Sequence, residues 1–176
     1  MRGLLDRHQA DDLICFGAPG PRSAGQLGAL VEAIAARLPA PSSGAHGPRG
    51  KVVLACRDRY YFMAGLLAAL RAGLPVMLPP NGQPETVRAL LREVELAAFL
   101  RDDDGEGLDL RTLDDPSRSV MLAPLADFDP DRATLLLYTS GSTGTPQAHA
   151  KSVGQLLREA QSHVRDSSLA GRRIVA

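Results

Sequence analysis

Short apolar runs alternate along the chain with longer segments in which apolar residues recur at helical spacing. The apolar runs predict strands, because short runs rich in leucine and β-branched residues fit a buried sheet. The clearest strand candidates are Asp12–Phe16, Lys51–Cys56, Leu74–Leu78, Ala97–Leu100 and Ala133–Tyr138, with weaker candidates at Val120–Pro124 and Arg172–Ala176.

The longer segments predict helices, and two of them begin with a capping box. Ser23 with Gln26, and Ser152 with Gln155, have the spacing at which the two residues cap the first helical turn reciprocally. The predicted helices run from Ser23 to Leu38, from Asp58 to a stop at Gly73, from Pro84 to about Val94 and from Ser152 to about Val164.

Strands that alternate with helices predict an α/β fold, with a mostly parallel sheet covered by helices. Pro39–Gly50 is small, polar and rich in proline, which predicts an exposed loop within this pattern. Arg101–Gly107, with the sequence RDDDGEG, predicts an acidic turn. Both flanks of the proline-rich loop continue the same pattern, so the loop is not interpreted as a domain linker.

The balance of charges excludes some classes of binding partner. Twenty basic and twenty acidic residues cancel, which argues against a surface for nucleic acid or an anionic membrane. The first dozen residues carry charges and no long apolar stretch, and no segment is apolar enough for a membrane span. Cys15 and Cys56 lack metal-type spacing and predict free thiols in a reducing cytosol, hence a cytoplasmic location.

The candidate for chemistry is the loop TSGSTGTP at residues 139–146. It follows a predicted buried strand, so we expect it at the carboxyl edge of the sheet, where α/β folds bind ligands. Gly141 and Gly144 can bring backbone N–H groups close to an anion, and the hydroxyls add short donors. The predicted phosphate-binding residues are Thr139, Ser140, Gly141, Ser142, Thr143, Gly144 and Thr145.

Three other interpretations of this loop are a surface turn, a P-loop kinase-like enzyme and a dinucleotide-binding enzyme. A plain Ser/Gly surface turn has a similar composition, but it does not require a buried strand before it and a capped helix after it. The loop contains neither the G-x-x-x-x-G-K-[ST] pattern nor the G-x-G-x-x-G pattern, which opposes a P-loop kinase-like enzyme and a dinucleotide-binding enzyme.

YTSGSTGTPQ, at Tyr138–Gln147, resembles the phosphate loop of the adenylate-forming superfamily, which includes acyl-CoA synthetases, aryl-acid ligases and the adenylation domains of peptide synthetases. The usual pattern there is TSG, Ser or Thr, TG, any residue, then Pro-Lys. Tyr60–Leu100 is similar to the early helix-strand-helix-strand run of that family, and Arg22–Leu38 is similar to the helix before it. The resemblance covers most of the chain after about Ser23, and only the loop is specific.

The resemblance implies an N-terminal subdomain of an enzyme that uses ATP and Mg²⁺ to activate a carboxylic acid. The acyl adenylate would then pass its acyl group to a thiol of CoA or of a carrier protein. In that chemistry the loop holds the β- and γ-phosphates and stabilises the leaving pyrophosphate. Serine, threonine and glycine residues 139–145 would take this role here.

Gln147 departs from the resemblance, because it stands where the family usually has lysine. It offers only a neutral amide, and it is still one of the candidate phosphate-binding residues. Lys151, four residues on, is a candidate for the missing charge, and its alternative is a solvated lysine near a helix start. His149 has two readings as well, a phosphate contact or an exposed loop histidine. A non-catalytic relative that binds nucleotide or an acyl group is the alternative function that Gln147 favours.

The chain stops before the other signatures of the family, which lie downstream of this loop. We therefore expect residues 1–176 to be a partial N-terminal AMP-binding domain, truncated after Ala176. The same resemblance places the catalytic residues outside the chain and predicts that the isolated chain does not catalyse adenylation.

Overall fold

The structure is a computed structural model that describes residues 8–17, 20–39, 50–121, 129–132, 134–139 and 147–167. Eight strands and four α-helices alternate along these residues. The strands are β1 (Leu13–Gly17), β2 (Gly20–Ser23), β3 (Lys51–Ala55), β4 (Val76–Leu78), β5 (Leu96–Arg101), β6 (Leu108–Asp109), β7 (Thr134–Thr139) and β8 (Gln147–Ser152). The helices are α1 (Ala24–Ala35), α2 (Arg59–Arg71), α3 (Pro84–Glu93) and α4 (Val153–Asp166), with a 3-10 helix at Leu110–Leu113.

Six of the strands form one sheet in the order β6-β5-β3-β4-β7-β8. Each neighbouring pair is parallel except β7 and β8, which form an antiparallel hairpin. Strands β1 and β2 form a separate antiparallel hairpin before α1. The predicted α/β fold with a mostly parallel sheet is therefore confirmed.

Helices cover both faces of the sheet, and the two apolar clusters follow from the alternation of side chains along β3. Val52 and Leu54 point to the face that α1 and α2 cover. There they belong to the same apolar cluster as Ile34 of α1 and Ala64 of α2. Val53 points to the other face, where it packs in the same cluster as residues of α3. Such burial on both faces explains why the parallel strands read as continuous apolar runs.

The helix starts agree with the sequence signals. Both predicted capping boxes are formed, since Ser23 and Ser152 each accept a hydrogen bond from the backbone N–H of the glutamine three residues on. Pro84 opens α3, and Gly73 takes a φ of 65° just after α2, where a residue with a Cβ would be strained.

Three strands were not predicted, namely β2, β6 and β8. The most consequential is β8, because no strand was predicted between the candidate phosphate loop and the helix that Ser152 opens. Its sequence QAHAKS has no β-branched residue, so pairing with β7 rather than local propensity decides its conformation. The expected strand at Val120–Pro124 is wrong for Val120 and Met121, which lie outside strands.

Some expectations cannot be compared with the structure. Residues 122–124 of that candidate strand, residues 40–49 of the proline-rich loop and the candidate strand Arg172–Ala176 lie outside the described residues. Within the described ranges, no helix is long and apolar enough to cross a membrane.

A buried ion pair ties the β1–β2 hairpin to the segment that follows the 3-10 helix. Arg22 Nη2 donates to Asp114 Oδ2 at 2.8 Å, and the Tyr61 hydroxyl donates to the same oxygen at 3.1 Å. The Arg22 guanidinium also lies over the Tyr60 ring, 5.6 Å from its centroid. Burial, reinforced by the charge of Asp114, raises the pKa of Tyr61 to about 12. Tyr60 and Tyr61 both belong to the buried apolar core.

Candidate functional site

The β7–β8 hairpin holds the two ends of the candidate phosphate loop. Thr139 and Gln147 form the last backbone pair of the hairpin, and residues 140–146 connect these two ends in the sequence. β7 is parallel to β4, and Leu78 at the end of β4 pairs with Leu137. β7 therefore ends at Thr139, two residues beyond the end of β4 and at the carboxyl edge of the sheet.

The predicted site residues differ in what the structure says of them. Thr139 and Gln147 are described through their backbone pairing. Residues Ser140, Gly141, Ser142, Thr143, Gly144 and Thr145 lie outside the described residues. Their contact with phosphate stays a prediction.

Lys151 lies at the far end of β8 from the loop. It pairs with Leu135, four residues and about 13 Å along the strand from Gln147. Its Nζ donates to both carboxylate oxygens of Glu159 in α4, at 2.7 and 2.9 Å. In this arrangement the ammonium group of Lys151 is directed to α4, which leaves its predicted role toward phosphate without support from the geometry.

A crevice of about 650 Å³ opens at the same edge of the sheet, above the carboxyl ends of β3, β4 and β5. It lies between α3 and the turn of residues 102–107. Phe62, Leu91 and Phe99 contribute apolar walls, and Arg57 and Arg88 are exposed charged residues of its lining. The described residues of β7 and β8 do not line it, so the crevice and the predicted phosphate loop are neighbouring parts of one edge.

The acidic turn supports the structure of this crevice. Asp102 accepts hydrogen bonds from the backbone N–H groups of Arg57, at 2.9 Å, and Asp58, at 2.6 Å. Asp103 pairs with the buried Arg101 at 2.6 Å. Asp104, which also lines the crevice, pairs with Arg111 at 2.6 Å.

Each of these three aspartates therefore contacts another group of the protein. Among the described residues, no group of three His, Cys, Asp or Glu is placed to hold a metal ion.

We expect Asp102→Ala to lower the free energy of unfolding by about 1.5–3 kcal/mol, because hydrogen bonds to a charged group contribute about that much. The substitution removes the acceptor that fixes the connection between β3 and α2. Urea denaturation would measure the change. Asp104→Ala is the matched control, since that side chain is 99% exposed and should change stability by less than about 0.5 kcal/mol. Equal effects of the two substitutions would contradict this role for Asp102.

The two cysteines are free, as predicted, and partly buried. Burial, reinforced by Asp102 and Asp103, raises the pKa of the Cys56 thiol well above its usual range. Burial also raises the pKa of the Cys15 thiol. Because the thiolate is the nucleophilic form, a raised pKa lowers the reactivity of both thiols.

A sequence model described as AMP-binding enzyme matches residues 7–174 of the chain. The chain belongs to this family. Its strand-loop-strand hairpin at the carboxyl edge of a mostly parallel sheet is thus part of the AMP-binding fold, and the sequence resemblance is confirmed.

Curated relatives of this AMP-binding chain match at about 30% identity. The L-proline–[L-prolyl-carrier protein] ligase of Streptomyces coelicolor is 32% identical over 176 residues, which cover 80% of this chain and 32% of the relative. The FR901469 synthetase of Dothideomycetidae sp. is 30% identical over 157 residues, covering 82% of this chain and 1% of the relative. The chain thus spans a third or less of the length of these relatives.

Solved structures show the same fold at lower identity. An o-succinylbenzoate CoA synthetase variant of Bacillus subtilis has a TM-score of 0.65 and 16% identity, over 96% of this chain and 36% of that one. ATP-bound MatB of Rhodopseudomonas palustris has a TM-score of 0.59 and 19% identity, over 92% and 35%. The NpsA N-terminal subdomain of Klebsiella oxytoca has a TM-score of 0.57 and 21% identity, over 84% and 38%. The fold is that of the N-terminal subdomain of adenylate-forming enzymes.

Sequence reasoning missed the crevice. Its lining comes from residues far apart in the chain, such as Arg57, Arg88 and Phe99, and no local motif connects them. The usable signal was indirect. Each of these residues lies at or near the carboxyl end of a predicted strand or on the helix that follows one, and such positions meet at one edge of a parallel sheet.

Proposed function

We propose that the protein carrying this chain is an ATP-dependent ligase that activates a carboxylic acid as an acyl adenylate. The observation that carries the proposal is the hydroxyl- and glycine-rich sequence of residues 139–146, which joins the paired ends of β7 and β8 in a chain of the AMP-binding family. A carboxylate oxygen attacks the α-phosphorus of ATP, the bond to the bridging oxygen breaks, and pyrophosphate leaves.

In this proposal the loop binds the β- and γ-phosphates. Backbone N–H groups around Gly141 and Gly144, with the hydroxyls between them, donate to oxygens whose charge grows as pyrophosphate leaves. The β7–β8 hairpin supports this role, because its last pair, Thr139 with Gln147, fixes both ends of the loop.

We propose that Mg²⁺ binds together with the nucleotide. Mg²⁺ prefers oxygen ligands and is often bound through one or two protein groups together with substrate phosphates. Hydroxyl oxygens of Ser142 or Thr143 suit that chemistry, and the loop itself contains no carboxylate. The metal would neutralise phosphate charge, and the loop would position it.

The acyl acceptor is proposed to be a thiol of CoA or of a carrier protein. The names of the relatives include both a carrier-protein ligase and a CoA synthetase, so both acceptors are retained. The acid is proposed only as a carboxylic acid. A cytoplasmic location, predicted from the two free thiols, stays a prediction.

Gln147 favours a second candidate, a relative that binds nucleotide or an acyl group without catalysis. Its amide is neutral where the family resemblance leads one to expect lysine. Loss of that charge weakens the hold on the phosphates and reduces the stabilisation of the leaving pyrophosphate.

The two candidates separate in one experiment on the protein expressed from its full reading frame. We expect Mg·ATP to bind in calorimetry and a carboxylic acid to stimulate ATP–pyrophosphate exchange in a panel of amino, aryl and aliphatic acids. Binding without exchange for any acid would support the non-catalytic relative. Absence of Mg·ATP binding would contradict the ligase proposal. It would also exclude a nucleotide-binding relative, so that only a non-catalytic relative that binds an acyl group would remain.

A further inference from the structure

The crevice at the carboxyl ends of β3, β4 and β5 has the size and the walls of a small-molecule site. Its volume of about 650 Å³ lies within the range of roughly 300–1,000 Å³ that is typical of ligand pockets. Phe62 of α2, Leu91 of α3 and Phe99 of β5 supply apolar surface from three different elements. Such pockets hold the body of a ligand by apolar contact and orient it with a few polar groups.

Two exposed arginines of the lining are available to bind an anion. Arg57 lies between β3 and α2, and Arg88 lies on α3, so positive charge reaches the crevice from two walls. Within the part of the chain that the structure describes, neither guanidinium group forms an ion pair or a hydrogen bond. A free guanidinium group can bind a carboxylate through two parallel hydrogen bonds.

Arg101, at the end of β5, adds a buried donor to the same lining. Its side chain is only 5% exposed, and its Nη1 donates to Asp103 Oδ1 at 2.6 Å. Its Nε has no hydrogen-bond partner among the described residues. Since most buried N–H groups in folded proteins are paired, a ligand oxygen bound in the crevice can supply the missing acceptor.

The acidic residues of the lining limit the charge of the ligand. Asp103 is paired with Arg101, and Asp104 is paired with Arg111. Glu106 is the acid of the described lining that has no ion pair. Two free guanidinium groups and one free carboxylate therefore leave one net positive charge, which matches a monoanion better than a phosphate dianion.

We propose that this crevice is a binding site for a monocarboxylate with an apolar aliphatic or aryl body. The carboxylate accepts hydrogen bonds from the guanidinium groups of Arg57 and Arg88. The apolar body packs against Phe62, Leu91 and Phe99. This inference uses no residue of the candidate phosphate loop and does not depend on the proposed nucleotide site.

The test is calorimetric titration of the full-length protein with octanoate at pH 8, without nucleotide. We expect saturable binding that Arg57→Gln/Arg88→Gln weakens by about tenfold or more, because the variant loses charge-assisted hydrogen bonds. Arg92→Gln/Arg118→Gln is the matched control, since both arginines are exposed and lie outside the lining. It removes the same two charges from the protein and should bind octanoate within about twofold of the wild type.

Three further ligands test the chemistry of the site. 4-Phenylbutyrate should bind with the same dependence on the two arginines, and 1-octanol, which has no charge, should bind about tenfold more weakly than octanoate. Equal affinity of octanoate for wild type and Arg57→Gln/Arg88→Gln would overturn the proposal, as would equal loss in the two double variants. Absence of saturable binding of both acids by the wild type would overturn it as well. Octyl phosphate that binds more tightly than octanoate would contradict the assignment to a monoanion.

Discussion

Asp114→Ala is expected to lower the free energy of unfolding by about 3–5 kcal/mol, because it removes one partner of a buried ion pair. The side chains of Arg22 and Asp114 are 10% and 5% exposed, so water cannot replace the lost carboxylate. The guanidinium would keep its charge and lose its 2.8 Å partner, and the Tyr61 hydroxyl would lose its acceptor. Urea denaturation of the wild type and the variant measures the difference.

The double variant Arg22→Met/Asp114→Leu is the matched control. Replacing both charges with apolar side chains leaves no uncompensated ion, and such replacements are often neutral or stabilising. We therefore expect most of the lost stability to return. A double variant as unstable as Asp114→Ala would show that the lost free energy of unfolding arises from packing rather than from an unpaired Arg22 charge. Tyr61→Phe should cost only about 1 kcal/mol, since it removes a single hydrogen bond.

The Arg22–Asp114 pair is an example of a contact that the sequence did not predict. The two residues are 92 positions apart, and neither belongs to a pattern that a local rule recognises. By contrast, Ser23 and Ser152 lie three residues before a glutamine, and this spacing alone predicts the two caps that the structure confirms. Features held by contacts within one turn were predictable, whereas long-range polar contacts were not.

The same distinction explains the candidate site. Strand β7, and the position of its last residue at the carboxyl edge of the sheet, followed from an apolar run and the α/β pattern. β8 did not follow, because QAHAKS has little strand propensity and becomes a strand by pairing with β7. This error matters for function, because a strand fixes Lys151 away from the loop.

Ser142→Ala/Thr143→Ala is expected to reduce acid-dependent ATP–pyrophosphate exchange by about 10²–10³-fold in the full-length protein. Removing one donor that stabilises charge in a transition state costs an enzyme about that factor. The two hydroxyls lie between Gly141 and Gly144 in the predicted phosphate loop. If their contacts strengthen as pyrophosphate leaves, the loss should fall mainly on the turnover number, with a smaller change in the Michaelis constant for ATP.

The control removes two hydroxyls outside the loop, at Ser162 and Ser167 at the exposed end of α4. This double alanine variant should keep exchange within about twofold of the wild type, because surface changes of this kind rarely alter stability by more than about 0.5 kcal/mol. Exchange that survives Ser142→Ala/Thr143→Ala within about fivefold would contradict the assigned role of the loop. A loss confined to the Michaelis constant for ATP would instead show that the hydroxyls bind substrate and transition state equally.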